Sequence, residues 1–313
     1  MNLLITVLLF ILGLFLIIKG GDIFVSSASS IADATRIPKF IIGATVVSLA
    51  TTLPELIVSI IATSEGKVDM AIGNAVGSVT ANIGIIMAIS ILFIPVAINR
   101  KSFSFKSILL VLSIILLTCL CSLGGLHFWG AVAMFIFVIA FFYDNIVSAK
   151  KNNITQEKTF YNKKMIIKNI VFLVIGTIGI VWGSNLLVNN GSALALKIGI
   201  SEKIIGFTAV AIGTSLPELI TTISAIIKKE PNLSIGNIIG ANIIDICLIL
   251  PICSFVHGGV LPVSKTILTV DMPVCFFLCV FAVIPTIFQK KFMRWQGILM
   301  IATYLSYLVY IVL

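Results

Sequence analysis

The sequence predicts an all-α integral membrane protein whose ten transmembrane helices form two inverted five-helix repeats, with helices 2 and 7 broken. Three observations carry that expectation. The chain is 59% hydrophobic and 11% charged, with a mean hydropathy of +1.19, too little polar surface to coat a soluble globule of 313 residues. Its apolar residues fall into ten runs, several near the roughly 20 residues that cross a bilayer as a helix. The chain also matches itself at an offset of 163 residues.

The expected spans, in order, are 3–18, 40–63, 70–96, 107–122, 126–147, 165–187, 204–227, 233–256, 264–287 and 295–312. The basic residues fix their sense. With the N-terminus outside, 17 of the 21 Lys and Arg residues fall in inward loops, among them Lys39, Arg100, Lys106, Lys228 and Lys290. Only Lys67, Lys197, Lys203 and Lys265 fall outside. Ten spans with both termini extracellular, in a multi-pass protein of the cell membrane, follow from that alternation. The formal charge of +9 is therefore topological, and no nucleic-acid partner is implied. Cys119, Cys121, Cys247, Cys253, Cys275 and Cys279 lie in or beside apolar runs without a CxxC pair, so they read as small lipid-compatible side chains. His127 and His257 stand alone in outer loops and suggest no metal site. The first span resembles a leader peptide in position, but its role as one unit of a repeat argues against cleavage.

At the 163-residue offset, "GATVVSLATTLPELIVSI" (43–60) lies over "GFTAVAIGTSLPELITTI" (206–223) with 10 of 18 positions identical, and "GNAVGSVTANIGI" (73–85) over "GNIIGANIIDICL" (236–248). Gly13 falls on Gly176 and Gly20 on Gly183. The halves are a first five-helix repeat (1–147), a short Lys-rich cytoplasmic linker (148–164) and a second repeat (165–313). Five is odd, so the second half enters the membrane in the opposite sense, the plan of many secondary transporters.

Within each half a proline interrupts a span. Pro54 and Pro217 lack an N–H, so the carbonyls of Ala50 and Gly213 lose a helical partner, and freed backbone at membrane depth needs protein or a wet cavity around it. Hydroxyls flank each proline, Thr51 and Thr52 in one half and Thr214 and Ser215 in the other, and a carboxylate follows, Glu55 or Glu218. A simple kink with self-bonded threonines would account for the prolines. It leaves the glutamates unexplained, because a carboxylate at mid-membrane costs about 2.5 to 3.5 kcal/mol. Oxygens of these three kinds are the ligands hard cations prefer. On the following helix Asn74, Ser78 and Asn82 recur at four-residue steps, matched by Asn237, Ala241 and Asp245, one face turned from lipid. Asn74 and Asn237 read as partners of the helix breaks, and Gly73, Gly77, Gly236 and Gly240 as packing surfaces.

These motifs resemble those of the sodium/calcium exchanger family, prokaryotic type, within the cation/calcium exchanger superfamily: "LATTLPEL" with "GNAVGSVTANIG", and "IGTSLPEL" with "GNIIGANIIDI". The resemblance implies a cage of cation sites. Glu55 and Glu218 would hold calcium and share sodium, with hydroxyl ligands Thr51, Thr52, Thr214 and Ser215, and backbone-carbonyl ligands at Ser48 and Ala211. Ser78, Asn82 and Asp245 would complete it, Asp245 in its neutral form. It implies calcium and sodium as transported ions, no cofactor, and a monomer sufficient for transport in the lipid bilayer. Ala241 departs from the family, which commonly has Ser there to match Ser78, so one sodium site is expected to be weakened. Thr52 for Ser and Ala50 for Gly are milder changes.

The function expected is a secondary active antiporter exchanging sodium for calcium by alternating access. The alternative is proton-coupled calcium exchange, or exchange of other divalents or with potassium dependence; Ala241 and three embedded carboxylates able to take protons favour the proton reading. Nothing resembles a channel filter. No Ser/His, HExxH or GxGD constellation occurs, so an enzyme is not expected.

Overall fold

The computed structural model describes residues 3–93, 100–154, 163–197 and 202–312. Its helices are α1 (Leu3–Thr35), α2 (Lys39–Thr51), α3 (Leu53–Ser64), α4 (Val68–Phe93), α5 (Arg100–Ser122), α6 (Phe128–Ile154), α7 (Lys163–Lys197), α8 (Glu202–Ile227), α9 (Pro231–Val256), α10 (Ile267–Gln289) and α11 (Arg294–Val312). Two short strands, β1 (Leu126–His127) and β2 (Val260–Leu261), pair antiparallel. Among the described residues seven helices are long and apolar enough to cross a membrane, and the bent pair α2 and α3 makes an eighth. Large apolar side chains such as Phe15, Ile18, Ile139, Ile178 and Trp182 are exposed. In water such a surface would cost about 25 cal/mol per Å²; lipid removes the cost.

The helices divide into a buried pair and a peripheral pair. In their most apolar stretches α4 and α9 are 72% and 83% buried, against 22% and 17% for α1 and α7. The motif bearing Asn74, Ser78 and Asn82 is on α4, and that bearing Asn237, Ala241 and Asp245 is on α9, so the polar face predicted from sequence is at the centre. Glycine makes the close approaches possible. A Cβ on Gly240 of α9 would come 2.6 Å from Ala44 O and Ser48 Oγ of α2, and one on Gly236 would collide with Phe40 O. These two glycines serve packing, as expected; Gly73 and Gly77 of α4 do not, because a Cβ on either would meet nothing within 4 Å among the described residues.

On the periphery α1 and α7 run against each other along most of their length. A Cβ on Gly13 would stand 2.9 Å from Gly183 O, and one on Gly20 3.0 Å from Gly176 O. Each glycine therefore faces the repeat counterpart of the other. Both helices are longer than expected: α1 has 33 residues and α7 35, where the sequence predicted spans 3–18 and 165–187. The charges and small polar residues that ended those runs, Lys19 and Asp22 among them, are carried on continuing helix. A residue rise of 1.5 Å makes such a helix about 50 Å long, well beyond the hydrocarbon core.

Lys106 is a second correction. Expected in an inward loop, it lies within α5, wholly buried, with Nζ 2.6 Å from Asp144 of α6 and 5.6 Å from the centroid of Phe40. Its aliphatic stem carries the ammonium to that carboxylate, so the helix continues through a charge that would end a lipid-facing run.

Several loops meet. Leu126 pairs with Leu261 and His127 with Val260, Ser254 Oγ donates to Leu126 O at 2.8 Å, and Ser264 N donates to Asp69 Oδ1 at 3.2 Å. Elsewhere Lys39 bonds Glu230 and lies 3.5 Å from Asp33, and Lys228 is 2.5 Å from Asp22. The linker residues 155–162 lie outside the described residues.

Candidate cation site

The two proline motifs take different backbone forms. In the first, the helix breaks at Thr52 (φ −85°, ψ 2°), and α2 and α3 meet at 43°. Pro54 then occupies the first turn of α3, where the missing N–H has no intrahelical partner to lose. In the second, α8 runs unbroken with Pro217 inside it. The expected break of helix 7 is therefore not present. One proline removes one ladder hydrogen bond, and a helix packed on its neighbours can pass through with that loss.

Glu55, Glu218 and Asp245 are all buried, and Glu55 lies within electrostatic reach of both Glu218 and Asp245. Glu55 Oε2 and both carboxylate oxygens of Asp245 have no hydrogen-bond partner among the described residues, and the Glu218 carboxylate has only the Thr51 hydroxyl near it. None of the ion pairs formed among those residues involves them. Asn82 Oδ1 and Ser215 Oγ are likewise buried and unpartnered. A buried carboxylate left this way costs several kcal/mol unless a cation or proton neutralises it. No three His, Cys, Asp or Glu side chains among the described residues converge on one point. An ion here must complete its shell with neutral oxygens, as sodium and calcium do.

Asn74 and Asn237 organise those oxygens. Asn74 Nδ2 donates to Glu55 O at 3.2 Å and Ser59 Oγ at 2.9 Å, and its Oδ1 accepts from Thr214 Oγ1 of the other half at 3.3 Å. Asn237 Nδ2 donates to Thr221 Oγ1 at 3.2 Å, and its Oδ1 accepts from Thr51 Oγ1 of the first half at 3.2 Å. Each amide thus ties the proline motif of its own half to the hydroxyl of the other. Thr51 Oγ1 also lies 3.4 Å from Ser48 O, so its proton has two acceptors in reach. Both asparagines bond residues beside the one break, Asn74 at Glu55 O and Asn237 at Thr51 Oγ1, while each also bonds the unbroken α8, at Thr214 or Thr221.

The remaining predicted ligands are placed as follows. Ser48 and Thr52 are buried, and Ser48 O accepts from Thr52 N at 3.0 Å and from Thr52 Oγ1 at 2.7 Å. Ser78 is buried on α4. Of Ala211 the structure describes only its place in α8. Asn82 and Asp245 each begin a π-helical turn, Asn82–Met87 and Asp245–Ile249. Such one-residue bulges rotate the following side chains and recur at functional sites.

One residue escaped the sequence reading. Asn242, wholly buried on α9, accepts a hydrogen bond from Asn82 Nδ2 at 2.9 Å. Its counterpart in the first half is Val79, so the repeat, the strongest signal available, gave no hint of it.

The sequence profile of the sodium/calcium exchanger protein family matches residues 5–146 and 168–313. An uncharacterized membrane protein of Methanocaldococcus jannaschii is 33% identical over 297 residues, covering 95% of this chain and 94% of that one. The sodium/calcium exchanger MaX1 of Methanosarcina acetivorans is 29% identical, covering 96% and 97%. Among solved structures, the sodium-calcium exchanger NCX_Mj soaked with 2.5 mM Na+ and 10 mM Sr2+ superimposes with a TM-score of 0.86 at 31% identity, over 98% of this chain and 99% of that chain. With both proline motifs and both asparagine helices falling inside the matched residues, the chain belongs to the sodium/calcium exchanger family.

Proposed function

We propose that this protein exchanges sodium for calcium across the cell membrane by alternating access, with both ions loading onto one set of oxygens centred on Glu55 and Glu218. The observation that carries the proposal is the burial of Glu55, Glu218 and Asp245 within reach of one another, without a basic partner among the described residues. The hydroxyls of Thr51, Thr52, Thr214 and Ser215, the carbonyls of Ser48 and Ala211, and Ser78, Asn82 and Asp245 supply the rest. One calcium ion neutralises both glutamates, and so do two sodium ions. Both loads cannot be held together, so arrival of one displaces the other, and a gradient in sodium does work on calcium. The named activities of the Methanosarcina relative and of NCX_Mj support this reading.

Ten spans in two inverted repeats, with both termini outside, belong to the same proposal. Reciprocal facing of Gly13 with Gly183 and Gly20 with Gly176 supports a two-fold relation between halves. The π turns at Asn82 and Asp245, equivalent positions, support it too. The loops joined by β1 and β2 are both outer in that alternation, and those joined by Lys39 and Glu230 are both inner.

Calcium-45 uptake into proteoliposomes under imposed gradients tests the coupling. Sodium-loaded vesicles diluted into sodium-free medium are expected to accumulate calcium, and sodium-free vesicles with a pH gradient are not. The reverse result selects the second reading, proton-coupled calcium exchange, which the missing hydroxyl at Ala241 favours.

A further inference from the structure

Between the cage and the loop that joins α8 to α9, α1 lies over a seam. Glu218, Thr221, Ala225 and Lys228 follow one another at three- and four-residue steps along α8 and past its end, a spacing that puts them on one face. Glu230, Leu233, Ser234 and Asn237 step likewise into α9. The ten residues from Glu218 to Lys228 rise about 15 Å, from the depth of the carboxylates to the loop. Val25 of α1 meets Thr221, Ala225, Leu233, Ser234 and Asn237 in a seam too narrow for a water molecule. The seam ends at the cage, since Asn237 bonds both Thr221 and Thr51.

Three polar contacts fasten α1 across it. Asp22 Oδ1 lies 2.5 Å from Lys228 Nζ, Ser29 Oγ donates to Glu230 Oε1 at 3.0 Å, and Asp33 Oδ1 lies 3.5 Å from Lys39 Nζ. Asp22, Val25, Ser29 and Asp33 also recur at three- and four-residue steps, so one face of α1 carries the seam contact and its fastenings. Lys39 bonds Glu230 as well, which links two of the three. Gly21 brings α1 down onto α8, where a Cβ would stand 2.7 Å from Ile220 Cγ2 and Ser224 Oγ. The equivalent turn of the first half has the same backbone form, with Gly66 (φ 74°) in the place of Lys229 (φ 58°). Its charges pair within the turn instead, Lys67 Nζ lying 2.6 Å from Glu65 Oε2. Among the described residues, only the turn after α8 is tied to α1 by ion pairs.

Resting on the site and the sidedness proposed above, we propose that these contacts form an ionic latch, which holds α1 over the inner passage of the cage and must open before a cation can pass through the seam. The ion pairs are part-exposed, so each is weak enough to break within a transport cycle, and the three together favour the closed form.

The test is the rate at which a membrane-impermeant methanethiosulfonate modifies a cysteine placed in the seam. Ser234→Cys is nearly isosteric and is made in the full-length protein with Cys119→Ala, which removes the exposed native thiol; the same protein without Ser234→Cys gives the background. Asp22→Asn with Glu230→Gln is expected to speed modification about fivefold or more, as the open form gains population. Lys228→Asp alone is expected to do the same, and Asp22→Lys added to it to bring the rate back within about twofold of the intact latch. Choline chloride at about 1 M is expected to speed modification with the latch intact and not with it neutralised. Where Ser234→Cys does not elute as a folded monodisperse species, Ala225→Cys on the same seam takes its place. Modification unchanged by neutralisation, or not slowed again by the charge exchange, overturns the latch. Labelling does not depend on which ions are carried: protein that takes up no calcium under a sodium gradient overturns the exchange proposed above, while the labelling rates still decide the latch.

Discussion

The two proline motifs share their residues and differ in their backbone. "TTLPEL" breaks its helix at Thr52 and turns 43°, whereas "TSLPEL" passes through Pro217 as continuous α8. Both nonetheless present a buried glutamate and a buried hydroxyl, and both hydroxyls donate to an asparagine of the other half. The motif thus specifies which oxygens are released from the helical ladder. Whether the axis bends depends on what packs around it: Gly236 and Gly240 let α9 close on α2 just ahead of the first break.

Variants at equivalent positions can break or sharpen this comparison. Among variants that leave both glutamates in place, the largest effect is expected from the asparagine links. Asn237→Leu and Asn74→Leu each remove the amide acceptor of a threonine of the other half and the donor to their own half's motif, and a buried polar group left unmade costs about 1 to 3 kcal/mol. Calcium binding should weaken about tenfold or more in both; an effect in only one would show that a single half governs the site.

A smaller, unequal pair is expected at the prolines. Pro54→Ala allows α2 and α3 to join into one helix and should reduce exchange about tenfold. Pro217→Ala restores one N–H to an already continuous helix and should change exchange less than about threefold. Equal losses measured by calcium-45 flux would contradict the backbone difference described here.

The Lys106–Asp144 pair, with the lysine buried and the carboxylate 29% exposed, gives a contrast outside the site. Removing Lys106 leaves a part-exposed carboxylate, a loss smaller than that of a fully buried pair, so Lys106→Met should lower the thermal unfolding midpoint in detergent modestly while leaving the calcium affinity of the folded fraction within about twofold. A changed calcium affinity at unchanged midpoint would tie α5 to the cage. The smallest effect is expected from Ser59→Ala, which removes one of two acceptors of Asn74 Nδ2 and leaves Glu55 O in place; calcium affinity should fall about threefold or less.

Much of this arrangement was legible in the sequence, and the limits have physical causes. The apolar runs located the helices because lipid demands a continuous stretch of apolar side chains. Glu55, Glu218 and Asp245 stood out because an embedded carboxylate has no inexpensive structural reason to exist. The polar face of α4 and α9 followed from four-residue steps at Asn74, Ser78 and Asn82. The lengths of α1 and α7 did not follow, since their charged continuations are supported by protein rather than lipid. Nor did the unbroken α8, because a proline removes one bond whether or not the axis bends. Lys106 reads as a loop lysine in sequence because its partner Asp144 lies 38 residues away on the next helix. Asn242 was hidden for a different reason: its partner Asn82 lies across the interface between halves, a contact made by helix crossing alone.

The central claim is that Glu55 and Glu218 form one shared load-bearing pair. Calcium-45 uptake into sodium-loaded proteoliposomes by Glu55→Gln and Glu218→Gln, each checked for folding, tests it most directly. The account predicts that either variant reduces uptake at least about a hundredfold, to the level of protein-free vesicles. Near-normal uptake in either one would contradict it.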